Sequence, residues 1–179
     1  VRLPVPVTLV SSVDRDIGSK LFENMGDGIY TDRSEQVEAI GASMGGIFVD
    51  IDQDGDRDLY AIRFNRRNMW FMNEESELRS LPDSLLSRGY AGATSVSIAD
   101  FDHDGFLDLF SVYRYSSPNE LLLRPTVAGF NSKPQVQSVL SAGKETFSSS
   151  AFDYNGDGSP DIYVAHFGYE DALHLNDGR

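Results

Sequence analysis

The sequence contains no cysteine among its 179 residues. Disulfide frameworks, thiolate zinc sites and cysteine nucleophiles are therefore excluded together. No apolar run approaches the roughly 18 residues that a membrane-spanning helix needs, so we expect no membrane insertion. Basic residues are also scarce, because 15 Lys and Arg stand against 28 Asp and Glu and leave a net charge of −13. This balance argues against nucleic acid as a partner, since phosphate backbones are bound mainly by Lys and Arg.

The acidic residues cluster in three loops that share the pattern D-x-[DN]-x-D-G-x-x-D, whose nine positions we number one to nine. The loops begin at Asp50, Asp100 and Asp153, and so recur after 50 and 53 residues. Such a period is typical of propeller blades and solenoids. Three matches in register, each flanked by similar apolar residues, indicate built sites rather than a diffuse acidic surface.

Carboxylates this close together repel one another unless a cation neutralises them. Ca²⁺ takes six to eight oxygen ligands at about 2.3–2.6 Å, whereas Mg²⁺ prefers a strict octahedron and keeps its waters. Side chains at positions one, three, five and nine, with the backbone carbonyl at position seven, can supply a calcium cage. We therefore expect three calcium sites with these ligands: Asp50, Asp52, Asp54, Asp56 and Asp58; Asp100, Asp102, Asp104, Phe106 and Asp108; Asp153, Asn155, Asp157, Ser159 and Asp161.

The residues around the loops exclude an EF-hand, in which a 12-residue loop ends in Glu and lies between helices. Here the flanking segments, such as GGIFVD before the first loop and DLYAIRF after it, are rich in β-branched and aromatic residues. Such segments predict strands. A third apolar stretch follows each post-loop strand, and KLFENMGDGIY (20–30) is a fourth copy with no acidic loop before it. The unit is therefore predicted to be a four-stranded antiparallel meander of about 50 residues, which is typical of a β-propeller blade.

The triple DxDxDGxxDL[YF] signature and the LFENMGDGIYTD hairpin resemble the FG-GAP/VCBS-type repeats of integrin α-subunit propellers, bacterial VCBS proteins and cartilage-acidic-protein-like proteins. The resemblance covers about residues 20 to 178. The chain departs from that family because no intact Gly-Ala-Pro element precedes any loop. In the third loop, Asn155 replaces a carboxylate and Ser159-Pro160 stiffens the second half, so we expect the weakest site there.

The expected fold is all-β, with blades of four-stranded antiparallel sheets. We expect a partial blade without a calcium loop (1–39), two blades with calcium loops (40–89 and 90–141) and a partial blade with the third loop (142–179). The strand count predicts a partial arc of a larger ring, seven-bladed as the resemblance implies, with further blades of the same polypeptide as partners. A compact four-bladed ring is the alternative.

In the resembling integrins, ligand binds on the face opposite the calcium loops. The connections predicted on that face are rich in Arg and aromatic residues, which interaction surfaces favour. The candidate contacts for a protein or carbohydrate ligand are Arg63, Arg66, Arg67, Tyr113, Arg114, Tyr115, His166 and Tyr169.

The function predicted is a binding or adhesion module, stabilised by calcium and extracellular, as a secreted, surface or periplasmic protein. Calcium sites of extracellular modules bind at about 10⁻⁴–10⁻³ M and would be empty in a resting cytosol. One alternative is a secreted polysaccharide lyase or hydrolase, for which Arg63, Arg114, Tyr115 and His166 are the nearest candidates. The sequence contains neither an H-E-x-x-H motif nor a phosphate-cradling loop that would support catalysis. The other alternative is a structural spacer within a larger surface protein.

Overall fold

The computed structural model describes residues 7–14, 16–81, 92–114, 117–123, 135–138 and 144–178. These residues form four antiparallel sheets that follow one another along the chain. The only helix among them is a 3₁₀ helix at Ser34–Ile40. None of the helical structure in these ranges is long and apolar enough to cross a membrane. The expected all-β class is confirmed.

The first and second sheets are both meanders, in which each strand pairs with its neighbour in sequence. The first sheet consists of β1 (Val7–Val10), β2 (Lys20–Gly26) and β3 (Ile29–Asp32). The second consists of β4 (Ser43–Val49), β5 (Asp58–Arg63), β6 (Met69–Glu74) and β7 (Glu77–Leu81).

The third and fourth sheets repeat this arrangement. The third consists of β8 (Ala93–Ala99), β9 (Asp108–Tyr113), β10 (Glu120–Leu123) and β11 (Gln135–Ser138). The fourth consists of β12 (Thr146–Phe152), β13 (Asp161–His166) and β14 (Ala172–His174). One sheet falls within each of the four predicted repeat ranges, whose boundaries stay predictions.

Three hydrophobic clusters hold the sheets together, one at each junction between consecutive sheets. Leu21 of the first sheet and Phe71 of the second belong to one cluster, which also includes Val37 and Ile40 of the 3₁₀ helix. Tyr60 and Trp70 of the second sheet share the next cluster with Tyr113 of the third. The last cluster joins Phe101 and Phe110 to the fourth sheet. This face-to-face stacking of small sheets fits partial propeller blades, because each blade buries its apolar faces only against its neighbours.

Gly46 lies where the second sheet packs closely against the first. A Cβ built there would lie 2.8 Å from Leu9 Cδ2 and 2.9 Å from the carbonyl oxygen of Tyr60. Its neighbour Gly45 has no such contact within 4 Å. The absence of a side chain at Gly46 therefore permits this close approach, because a Cβ there would collide with backbone.

Candidate metal centre

The three acidic loops lie at equivalent places in their sheets. Each loop joins the first strand of a sheet to the second, as Val49 pairs with Asp58, Ala99 with Asp108 and Phe152 with Asp161. Because the strands are antiparallel, the connections from second to third strand leave from the opposite ends of the sheets. The acidic loops and the predicted ligand-binding loops are thus at opposite ends.

The first loop turns around the carboxylate of Asp50. Its two oxygens accept hydrogen bonds from the backbone N–H groups of Asp54 and Gly55, both at 3.1 Å. Asp54 in turn accepts the N–H of Asp56 at 3.0 Å. This folding brings carboxylate oxygens of Asp50, Asp52 and Asp54 within 4.8 Å of one another, and the group could hold a metal ion.

The second loop repeats these bonds almost atom for atom. Asp100 accepts the N–H groups of Asp104 at 3.1 Å and Gly105 at 3.0 Å, and Asp104 accepts that of Phe106 at 2.8 Å. The acidic oxygens that converge here belong to Asp100, Asp102 and Asp108. Two of the three predicted sites therefore have three carboxylates close enough for one cation.

The third loop has the same backbone course with fewer free carboxylate oxygens. Asp153 accepts the N–H groups of Asp157 and Gly158 at 3.2 and 2.9 Å. Asn155 donates its side-chain amide to Asp157 Oδ2 at 2.7 Å. Hydrogen bonds from Ser159 and Asn155 lower the pKa of Asp157. The described residues of this loop do not bring three acidic side chains together.

The carboxylates of the first loop are in electrostatic conflict. Burial and the charge of Asp54 raise the pKa of both Asp52 and Asp56. Asp56 Oδ1 is also buried without a hydrogen-bond partner. A hard divalent cation prefers oxygen ligands, and its charge would remove this conflict. The oxygen donors of the first loop therefore fit a calcium ion, and Asp50, Asp52 and Asp54 would hold it.

The acidic residue at position nine has a structural role that the spacing does not reveal. Asp58, Asp108 and Asp161 are fully buried. Asp58 accepts the backbone N–H of Ile51 at 3.0 Å with one oxygen and that of Asn73 at 2.8 Å with the other. The same carboxylate thus connects the loop to the third strand of its sheet. Asp161 makes the equivalent bonds to Tyr154 and Asn176.

The predicted ligand contacts separate into exposed and enclosed side chains. Arg66, Arg67 and Tyr169 are exposed. Arg63 is half-buried and donates its Nε to the carbonyl of Ile40 at 3.0 Å. Tyr115 lies outside the described residues.

The other three predicted contacts are engaged within the fold. Arg114 lies over the ring of Phe147 in the next sheet, 5.8 Å from its centroid. The prediction that Tyr113 contacts a ligand on the face opposite the acidic loops is wrong. Tyr113 is the last residue of β9, is fully buried and donates its hydroxyl to Glu120. His166 is also buried, and its Nδ1 bonds to the carbonyl of Glu170 at 2.8 Å.

Sequence reasoning missed the residues that shape this opposite end. The side-chain oxygens of Asn68, Asn119 and Asp171 each accept the backbone N–H of the last residue in the preceding strand, at 3.4, 3.3 and 3.0 Å. An Asn or Asp directly before each third strand was the available signal. These residues fix where the exposed loop residues emerge.

Residues 41–45 fit the G-x-S-x-G pattern of a serine nucleophile elbow, but Ser43 has a structural role. It begins a strand of an antiparallel sheet, whereas the elbow requires a turn from strand to helix. Its hydroxyl is buried and bonds to that of Ser19 at 2.7 Å. The pattern therefore gives no support to a hydrolase.

Stacked antiparallel sheets, three of which have a nine-residue acidic loop between their first and second strands, define the class as a repeat protein of the propeller type. Residues 50–111 match the family of FG-GAP-like repeats. The match begins with the first acidic loop and extends through the second into β9. No curated protein matches the sequence. The FG-GAP part of the expected resemblance is thereby supported.

Proposed function

We propose that this chain is a calcium-stabilised portion of an extracellular β-propeller, whose face opposite the acidic loops binds a protein or carbohydrate ligand. The convergence of carboxylates in the first loop carries the calcium part of this proposal. The second loop reproduces its hydrogen bonds, and the third reproduces its backbone course. We assign a site to each loop, with the third the weakest because Asn155 and Ser159 already satisfy Asp157.

An extracellular location is supported by the open structure of the loops. Most of their ligand residues are exposed or half-buried, so the metal would exchange with solvent. Sites of this kind in extracellular modules bind calcium at about 10⁻⁴–10⁻³ M. Sites of that affinity are filled by the calcium outside a cell and are empty in a resting cytosol.

Calcium titration by calorimetry, with thermal unfolding in calcium and in chelator, tests the metal. Binding to the folded state alone stabilises by about 2.7 kcal/mol per site at 100-fold excess over Kd. Asp54→Asn should remove binding at the first loop, and Asp102→Asn at the second. Asp27→Asn is the matched control, because Asp27 is exposed between two glycines in a turn and has no acidic residue within three positions on either side. Unfolding curves that coincide in calcium and in chelator would contradict the proposal.

Exposed cationic and aromatic side chains at the opposite end support ligand binding. Arg66 and Arg67 stand side by side on an otherwise acidic protein, and Tyr169 is exposed on the equivalent loop of the fourth sheet. Their chemistry favours an anionic ligand. Polygalacturonate as an anionic probe should bind more tightly than neutral dextran, and a double Arg66→Ala, Arg67→Ala variant should lose the preference. Equal binding of both polysaccharides to wild type and variant would count against this surface.

The exposed face of the fourth sheet supports further blades as partners. Tyr60 and Phe110 are fully buried at equivalent positions of β5 and β9, each against the following sheet. Tyr163 holds the same position of β13 and is 37% exposed. We assign to this face a further sheet of the same kind, because its apolar residues repeat those of two covered faces.

A further inference from the structure

The side chain at position four of one acidic loop reaches the next loop. Gln53 lies between Asp52 and Asp54 in the first loop, and its Nε2 donates to the carbonyl oxygen of Gly105 in the second loop at 2.9 Å. The two residues are 52 positions apart in sequence. This bond therefore joins the turn of one proposed calcium site directly to the turn of its neighbour.

The second loop makes the same kind of connection to the third. His103, at position four, has its Nε2 3.1 Å from the hydroxyl of Ser159 at position seven of the third loop. His103 thus has a partner in the loop of the adjacent sheet, although position four is variable in the loop pattern.

Position four has the same backbone conformation in every loop. Gln53 and His103 have φ values of 63° and 59°, in the left-handed region that most residues avoid. Gly156 occupies position four of the third loop with φ 78°. The left-handed conformation directs the side chain at position four away from its own loop. The third loop has no such side chain, because Gly156 occupies the position.

The hydrogen bond from Gln53 is made to the backbone segment whose N–H groups orient carboxylates of the second site. The N–H of Gly105 donates to Asp100 Oδ2 at 3.0 Å, while its carbonyl accepts the Gln53 amide. The following N–H, of Phe106, donates to Asp104 Oδ1 at 2.8 Å. Gln53 therefore holds in place the turn whose N–H groups orient two carboxylates of its neighbour.

We propose that Gln53 and His103 are positioning residues that couple calcium binding in adjacent loops. This inference rests on the proposed calcium binding. Metal in the first loop fixes the chain on both sides of Gln53, and its amide then holds the second loop in the conformation that binds metal. His103 does the same for the third loop through Ser159. By thermodynamic linkage, metal in the later loop strengthens binding in the earlier one.

A second hydrogen bond connects the second loop to the fourth sheet. Asn176 of the fourth sheet donates its side-chain amide to the carbonyl of Phe101 at 2.8 Å. The described residues include no such additional hydrogen bond between the first loop and the third sheet. The cleaner test is therefore made on Gln53.

Calcium titration followed by NMR separates the sites, because the amides of Gly55, Gly105 and Gly158 each donate to position one of their own loop. An Asp52→Asn, Asp54→Asn variant removes the first site. We expect the calcium concentration for half-saturation at Gly105 to rise about fivefold, the lower end of typical coupling. Gln53→Asn tolerates the left-handed turn but is one methylene too short to reach. Gln53→Asn should also raise the calcium concentration for half-saturation at Gly105. Combining Gln53→Asn with the double variant should raise this concentration no further than the double variant alone.

His103→Asn is the matched control. It should weaken the response at Gly158 and leave the coupling between Gly55 and Gly105 intact. A purely structural Gln53 would lower the metal-free melting temperature in the Asn variant without changing the coupling. Additive effects of Gln53→Asn and the double variant on Gly105 would overturn the inference alone. No calcium response at any of the three glycines would overturn the proposed calcium binding, and the coupling with it.

Discussion

The buried carboxylate of Asp58 accepts the backbone N–H of Ile51 at 3.0 Å, across the acidic loop that separates them. Asp108 and Asp161 accept the N–H groups of Phe101 and Tyr154 at 2.8 and 2.9 Å. The bond closes each loop at its base independently of any ion. Position nine therefore closes the base of the loop and, in Asp58 and Asp161, also accepts an N–H beyond the third strand's pairing partners, at Asn73 and Asn176.

Replacing Asp58 should destabilise the chain whether or not calcium is present. Asp58→Ala leaves the N–H groups of Ile51 and Asn73 without their acceptor. An unsatisfied buried donor costs about 1–3 kcal/mol. Chemical denaturation in chelator should show a loss of at least about 2 kcal/mol for Asp58→Ala, and a much smaller loss for Asp54→Ala. A variant that matches wild type in chelator but not in calcium would make Asp58 a ligand only.

The stability of the metal-free chain should depend on pH through the ionisation of Asp58. Burial raises its pKa to about 6, although hydrogen bonds from Asn73 and Ile51 oppose the shift. The folded state then binds the proton more tightly than the unfolded state. Its contribution to stability is present below about pH 4 and is lost as pH rises toward 6.

Other groups act in the opposite sense, because hydrogen bonds lower the pKa values of Asp32, Asp157 and Asp171. The effect of Asp58 is therefore the difference between wild type and Asp58→Asn, measured by denaturation in chelator. The free energy of unfolding of wild type exceeds that of Asp58→Asn, and we expect this difference to decrease between about pH 4 and pH 6.5. A gap that is constant or widens over this range would contradict the assigned shift.

Two adjacent glycines offer a test of the packing between the first two sheets. Gly46→Ala places a Cβ against Leu9 and the backbone of Tyr60, and should destabilise by about 1–3 kcal/mol, as overpacking does. Gly45→Ala meets nothing within 4 Å and should change stability little. Denaturant midpoints of the two variants provide the comparison. Similar losses in both would show that the close approach at Gly46 does not decide the packing.

Equivalent aromatic residues should differ in the stability that each provides to this chain. Phe110→Ala empties a fully buried position and should cost about 3–5 kcal/mol. Tyr163→Ala removes a partly exposed ring and its hydrogen bond to Asp171, and should cost about 1 kcal/mol or less. Thermal and chemical unfolding of both variants measure the difference. If the cost at Tyr163 approaches that at Phe110, the open face is already covered in solution.

Much of the candidate site could be predicted from local spacing. Alternate acidic residues followed by glycine specify a tight loop, and β-branched runs on either side specify the two strands that it joins. These features depend on residues within about ten positions of one another, so they are visible without the fold. The repeat of about 50 residues likewise predicts one sheet for each copy.

The exposure of the predicted ligand contacts could not be predicted in this way. Tyr113 and Tyr169 both occur near polar connections, yet the first is enclosed by the junction of two sheets and the second is exposed. Burial at these positions depends on which face of the neighbouring sheet they meet. A single strand does not contain that information.

By itself the sequence determined the all-β class, the three acidic loops and their order, because turn chemistry and strand alternation act over short distances. Only the tertiary structure decided that Gln53 reaches Gly105 and His103 reaches Ser159, since these partners are more than 50 residues apart. Stacking of consecutive sheets brings them together. The position-four side chains take their roles from that stacking, because the loop pattern leaves their identity free.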